Sequence, residues 1–230
     1  MLHIVGMGLE KGDMTEKGRE ALKKSRKIFV ESYTSFPYEL EDPEVRTKIK
    51  KVNRSFVEEG RVLESAENSD VALLVPGDPL FATTHIALVA EARSRNIKVE
   101  VIHAPSIINV ISRTGISPYK LGRVITISKA FESDSQKLQK NREQGLHTLC
   151  LLDPAVSIQD GIKVLQEFGV KGKVVACERL GMKGEKIAYG SLSDLLKLEF
   201  QNKPQCIIVP AKLHFFEEEF LENFSCKKQD

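Results

Sequence analysis

The run Val71-Ala72-Leu73-Leu74-Val75, followed at once by Pro76-Gly77-Asp78-Pro79, constrains this chain more than any other stretch. It is short, apolar throughout and entered from polar residues, so it reads as a buried β-strand of an α/β sheet. Pro76 fixes φ and Gly77 admits conformations closed to other residues. Pro79 suits the first turn of a helix, which predicts a strand-to-helix turn leading into an amphipathic stretch at 86–94. Ligands of open α/β sheets sit at the carboxyl ends of strands. Here Asp78, Thr83, Thr84 and His85 supply a carboxylate, two hydroxyls and an imidazole. Two readings stay open: a polar ligand site, or a plain turn capped by Asp78 or Thr84.

Two further strand ends have the same character. Residues 2–5 read as a first strand running into Gly6-Met7-Gly8-Leu9, and Thr15 or Asp13 can cap a helix over 15–25 that points Ala21 and Leu22 at the core. The Gly-x-Gly is weak as a dinucleotide loop, since Lys11 stands where a third glycine belongs; the glycines suit close backbone approach of a ligand or a tight turn without one. Residues 97–102 alternate as a strand and end at His103-Ala104-Pro105-Ser106-Ile107, with Ser106 a natural N-cap. Strands alternating with helices imply a parallel, doubly wound first domain.

Strands are also expected at 27–31, 124–128, 147–153, 173–178, 186–189 and 205–209, and a helix over 157–168 with Ile158, Ile162, Leu165 and Phe168 on one face. A charge-rich solvated face, helical in part, is expected over 39–57, and a polar loop and helix over 131–143. Breaks at Gly115, Pro118 and Gly122 place a domain boundary near 113–122, giving α/β domains over 1–115 and 116–230, with residues 227–230 frayed.

With 34 Lys and Arg against 32 Asp and Glu, charge makes no case for nucleic acid or a membrane surface as partner. No apolar run approaches the roughly 20 residues of a membrane helix. The N-terminus lacks the pattern of a signal peptide. Cys150, Cys177, Cys206 and Cys226 are spread singly, without metal-ligand pairing, and read mainly as buried thiols of a cytoplasmic, reduced protein. No metal site is expected. Ser106 with His103 lacks an orienting acid for acyl transfer, and His85 and His214 read first as structural. A group-transfer enzyme that positions its cofactor between two domains would fit, with Asp78 able to accept from a ligand amine or hydroxyl; composition alone does not say which group is transferred.

The residues resemble the diphthine synthases, methyltransferases of diphthamide biosynthesis within the tetrapyrrole-methylase class of S-adenosylmethionine enzymes. The resemblance is carried by Gly6-Met7-Gly8-Leu9 with Asp13 and Thr15, Tyr33-Thr34-Ser35, Gly77-Asp78-Pro79 with Ala82-Thr83-Thr84-His85, and Ser106-Ile107 with Asn109. It continues through Thr114-Gly115 with Tyr119 and Gly122, Asn141-Arg142 with Gly145-Leu146-His147-Thr148-Leu149, Leu151-Leu152-Asp153, and Lys212-Leu213-His214 with Glu217. Gly-Asp-Pro marks only the broad class; Ala-Thr-Thr-His and Gly-Leu-His-Thr-Leu are the specific pieces.

The resemblance implies a homodimer of two-domain α/β subunits with S-adenosyl-L-methionine in the interdomain cleft. By motif, the implied contacts are Leu9, Asp78, Phe81, Ser106 and Ile107 in the first domain, and Leu152, Gly190 and His214 in the second. The implied substrate is elongation factor 2 bearing a 3-amino-3-carboxypropyl group on a histidine, whose amine is methylated repeatedly to give diphthine. No catalytic base is named; Asp78 or Tyr33 could orient groups.

Three segments depart from the family pattern: residues 130–136, Pro154-Ala155 after Asp153, and Asn53 and Ser55 where acids are expected. They bear on protein docking more than on the cofactor. The alternatives are a methylase of a corrinoid precursor, against which the first turn lacks Gly-Pro-Gly-Asp-Pro, and a degenerate cofactor-binding regulator.

Overall fold

The structure, a computed structural model, describes residues 1–128 and 134–226. The expected frayed tail and the first part of the departure at 130–136 lie outside the described residues. The chain divides into two compact units, Met1–Ile107 and Ile108–Asp230.

In the first unit, β1 (Leu2–Gly6), β2 (Lys27–Glu31), β3 (Ile49–Val52), β4 (Val71–Val75) and β5 (Val99–Ile102) form one sheet in the order β3-β2-β4-β1-β5. Every neighbouring pair is parallel, so all five carboxyl ends share one edge. The uniform apolarity of β4 follows from burial on both faces. Val71, Leu73 and Val75 pack with Val62, Leu63, Leu88 and Val89 from the helices Arg61–Glu67 and His85–Ser94. Ala72 and Leu74 point the other way, to Ala21 and Leu22 of the helix Glu16–Lys24. Thr15 caps that helix by accepting the Gly18 N–H at 3.1 Å.

Two expectations are corrected here. The stretch expected as a solvated face contains β3, which the sequence hides because Lys50 and Lys51 interrupt its apolar residues. The strand lies at the sheet edge with both lysines exposed, where charge is compatible with pairing on one side only. Pro79 does not open a helix: the helix begins at His85, and Ile86, expected on an amphipathic face, is 62% exposed.

The second unit has a mixed sheet. Its strands β6 (Ile125–Ile127), β7 (Thr148–Leu152), β8 (Lys173–Glu178), β9 (Lys186–Ser191) and β10 (Gln205–Val209) run in the order β6-β7-β10-β8-β9, and only β6 and β7 pair in parallel. The helix Ile158–Glu167 covers one face with Ile158, Ile162 and Leu165 and starts at a capping box of Ser157 and Asp160. Cys150, Cys177 and Cys206 are buried free thiols on adjacent strands.

Candidate functional site

Three turns converge at the carboxyl edge of the first sheet. Because β4 and β5 flank β1, the turns that follow them come together across the turn after β1. Met7 N–H donates to the Val75 carbonyl at 2.8 Å, and Gly8 and Gly77 form an antiparallel bridge. Gly6 sits where all three meet: a Cβ there would lie 2.7 Å from the Gly77 carbonyl oxygen, 2.8 Å from Ala104 Cβ and 3.0 Å from Pro79 Cδ. Only a residue without a side chain permits that approach. Tyr38 supports the first turn by donating its hydroxyl to the Met7 carbonyl at 2.7 Å. Burial raises the pKa of this phenol, which keeps the donor proton in place.

Asp78 is mostly shielded and already partnered. Its Oδ1 accepts the Leu80 N–H at 3.0 Å, and its Oδ2 lies 2.7 Å from His103 Nδ1. Phe81 and Ile107 are half-buried, Ser106 is buried beside Gly77, and the helix Ile107–Val110 begins directly after it. The Leu9 N–H is taken by Asp13 at 2.9 Å. Asp78, Phe81, Ser106 and Ile107 thus stand on turns that the fold brings together, with Leu9 on the third.

The Ala-Thr-Thr-His segment is scaffold for that cluster. Thr83 Oγ1 donates to the Pro79 carbonyl at 2.7 Å and His85 Nδ1 lies 3.0 Å from the same oxygen. A carbonyl only accepts, so Nδ1 carries the ring proton and Nε2 accepts from the Tyr33 hydroxyl at 3.1 Å. Burial, with the Glu31 and Glu58 carboxylates, raises the Tyr33 pKa against a smaller opposing effect of Arg54, so the hydroxyl stays a donor. The backbone of the Tyr33 turn is held by Glu31, a fully buried carboxylate that accepts the Tyr33 and Thr34 N–H groups, each at 3.1 Å, and the Thr34 hydroxyl. Tyr33→Phe strands the buried His85 Nε2, and the expected loss is about 1–2 kcal/mol in a denaturant melt. An unchanged midpoint would remove this link.

In the second unit, Leu152 ends β7 and packs on the core. Gly190 is buried within β9, where a Cβ would meet Cys226 Sγ at 2.8 Å. The register sets Gly190 against Val174 and Val209 against Thr148, whereas Leu152 lies at the opposite end of the same sheet. Four residues of β7 separate those ends, about 13 Å at a strand's rise. His214 is exposed and caps the helix Phe215–Leu221 in a capping box with Glu217. The second-unit candidates are therefore not brought to one point, and two of them have packing or capping roles.

Other motif residues are structural by contact. Asn141 donates to the Arg123 carbonyl at 2.8 Å and to Thr148 Oγ1 at 2.9 Å and accepts the Arg123 N–H at 2.9 Å. Asn53 caps the helix Arg54–Glu58 through the Phe56 N–H, and Asp153 accepts the Ala155 N–H at 3.0 Å; both departures from the family pattern thus have local turn roles. The pairing of Asp78 with His103 escapes sequence reasoning, since it depends on β1 lying between β4 and β5. The signal available was a polar residue on each turn with a glycine turn to separate them.

Comparison with known proteins places the chain in a family. Tetrapyrrole (corrin/porphyrin) methylases match residues 1–196. The chain is 35% identical to a diphthine synthase of Methanocaldococcus jannaschii, over 96% of this chain and 98% of that protein. It is 34% identical to a diphthine methyl ester synthase of Dictyostelium discoideum, over 99% of each. A crystal structure of diphthine synthase superposes with a TM-score of 0.90 at 32% identity, covering 97% of this chain and 95% of that one.

Proposed function

Because this chain belongs to the tetrapyrrole methylase family and, within it, to the diphthine synthases, we propose the following activity. With S-adenosyl-L-methionine as methyl donor, it methylates repeatedly the amine of the 3-amino-3-carboxypropyl group on a histidine of elongation factor 2, giving diphthine. The observation that carries this reading is identity to diphthine synthases over nearly the whole length of both chains. The same matches speak against the corrinoid and the degenerate-regulator alternatives.

The residues of the first unit fit the cofactor. Gly6 and Gly8 let the three turns pack directly against one another, which sets Leu9, Phe81, Ser106 and Ile107 along one edge of the sheet where their backbone can meet a ligand. Asp78 retains carboxylate lone pairs beyond those used by Leu80 and His103, and these can accept from an amine or hydroxyl. Leu152, Gly190 and His214 enter the proposal from family resemblance alone. When bound, the cofactor supplies an electrophilic methyl on a sulfonium sulfur. The protein must align the substrate nitrogen with that methyl and strip its hydration. The enzyme is proposed to act as a homodimer in the cytoplasm; among the described residues no helix is long and apolar enough to cross a membrane.

The experiment is mass spectrometry of elongation factor 2 carrying the precursor group, incubated with enzyme and cofactor. Mass should rise by whole methyl groups, three for the trimethylammonium product; a fourth would align the chain with the methyl ester synthases. An unchanged mass despite cofactor binding would overturn the reading. In calorimetry with S-adenosylhomocysteine, Asp78→Ala should lose about 1–3 kcal/mol of affinity. Unaltered affinity would take Asp78 out of the site.

A further inference from the structure

His103 stands at the turn cluster with one ring nitrogen fixed and the other available. Its Nδ1 lies 2.7 Å from Asp78 Oδ2. An ionised carboxylate only accepts, so Nδ1 carries the proton of the neutral ring and Nε2 keeps its lone pair. Asp78 cannot swing away without opening its own turn, because Oδ1 holds the Leu80 N–H. The Asp78 side chain is 15% exposed and that of His103 66%, so the anchor is shielded while the ring is reachable. A carboxylate that orients an imidazole and steadies its protonated form is how a histidine is set up as a general base.

The other histidines are placed differently. His85 uses both ring nitrogens on Pro79 and Tyr33, and His147 uses both on Glu217 and Ala211. His214 Nδ1 accepts the Phe216 N–H, which leaves its Nε2 as the protonated nitrogen of a neutral ring. His3 pairs with Glu100 but is buried near the amino end of β1, away from the carboxyl edge. Among the described residues Asp78 is the charged group paired with the His103 ring; on the intervening turn Asp13 spends one carboxylate oxygen on the Leu9 and Glu10 N–H groups.

Resting on the methyltransferase reading above, we infer that His103 is the acceptor of the proton that the substrate ammonium must lose before each transfer. The proton passes from the ammonium nitrogen to His103 Nε2. The freed lone pair forms the nitrogen–carbon bond to the methyl group while the carbon–sulfur bond breaks, its electron pair remaining on sulfur. The imidazolium, held by Asp78, then gives its proton to water before the next round.

His103→Asn tests this, because the side-chain amide can still donate to Asp78 but cannot act as a base. The exposed position makes misfolding a small risk, and His103→Ala with added imidazole gives a second measurement. Nitrogen NMR of the wild-type enzyme should show His103 protonated at Nδ1 and bare at Nε2. Calorimetry should show S-adenosylhomocysteine binding unchanged in His103→Asn. Single-turnover methyl transfer at neutral pH should fall on the order of 10²-fold or more. The deficit should shrink as pH rises and the ammonium deprotonates unaided, and imidazole should restore part of the rate in His103→Ala. An Nε2–H tautomer, a wild-type pH–rate profile in His103→Asn, or lost cofactor binding in that variant would each overturn the assignment. If the wild-type enzyme itself transfers no methyl group, the parent reading falls with it; a normal wild-type rate with an unaffected variant removes only the base.

Discussion

Gly8→Ala will destabilise the first unit by about 2–5 kcal/mol and abolish measurable binding of S-adenosylhomocysteine. Two costs combine. Gly8 has φ +78°, and an alanine forced into the left-handed region costs about 1–2 kcal/mol. Its Cβ would also lie 2.1 Å from Asp13 Cβ and 3.2 Å from the Asp13 backbone, and overpacking of that kind costs about 1–3 kcal/mol. Relief cannot be local. Asp13 accepts the Leu9 and Glu10 N–H groups, so moving it releases the first turn. Moving Gly8 instead breaks its bridge to Gly77 and displaces the turn that carries Asp78. Gly169→Ala is the matched control: φ is +68° there, but nothing lies within 4 Å of the added Cβ, so only the conformational cost applies. Denaturant midpoints at constant slope, with calorimetry, decide the matter. A Gly8→Ala protein that binds as tightly as wild type would show that the first turn is mere connection.

That prediction depends on contacts only partly legible in the sequence. The strands buried on both faces announce themselves: β1, β2, β4 and β10 are short apolar runs, and the sequence places them to within a residue. β3 does not, since an edge strand needs only one paired side and tolerates the outward Lys50 and Lys51. The polar character of the three turns was visible, but their convergence is a property of strand order. Asp78 and His103 are 25 residues apart, on turns after strands that flank β1, and nothing local to either predicts a 2.7 Å contact. Likewise Ala82-Thr83-Thr84-His85 was recognisable as a family mark without its physical reason. That reason is the Pro79 carbonyl, which gathers the Thr83 hydroxyl and the His85 ring while Tyr33 closes the far side. Such turns are built from side chains that satisfy backbone groups, and this chemistry leaves no periodicity to read.

The largest effect is expected in the second unit, at Glu217. Its buried carboxylate accepts the Ser117 N–H at 2.8 Å, the His214 N–H at 2.8 Å and the His147 Nε2–H at 3.1 Å, with Lys120 at 3.5 Å. Glu217→Ala strands three donors at once. At about 1–3 kcal/mol for an unsatisfied donor, in full for the buried His147 and less for Ser117 and His214, where water can enter, the expected loss is about 3–5 kcal/mol. Glu217→Gln keeps the shape and one acceptor oxygen, so it should lose roughly half as much and give a measurement if the alanine protein does not fold. The same cluster sets an acid limit on stability. Burial lowers the His147 pKa below its ordinary 6.5, outweighing the Glu217 carboxylate that raises it, with Lys120 lowering it further. Protonation has a definite structural cost, because Nδ1 accepts the Ala211 N–H at 2.9 Å and a second ring proton would face that donor. Burial would raise the Glu217 pKa, but the His214 and Ser117 N–H groups, with His147 and Lys120, bring it below the ordinary 4.5. Both groups bind protons more readily in the unfolded chain, so acid favours unfolding. His147 contributes stability in full above pH 6.5 that is lost as pH falls from there through its folded pKa; the Glu217 contribution is lost below pH 4.5. Urea midpoints taken downward from neutral pH should therefore fall first in the His147 window. His147→Asn, less stable overall but able to accept from Ala211, should lack that first decline. Parallel pH curves for wild type and His147→Asn would assign the acid limit to other groups.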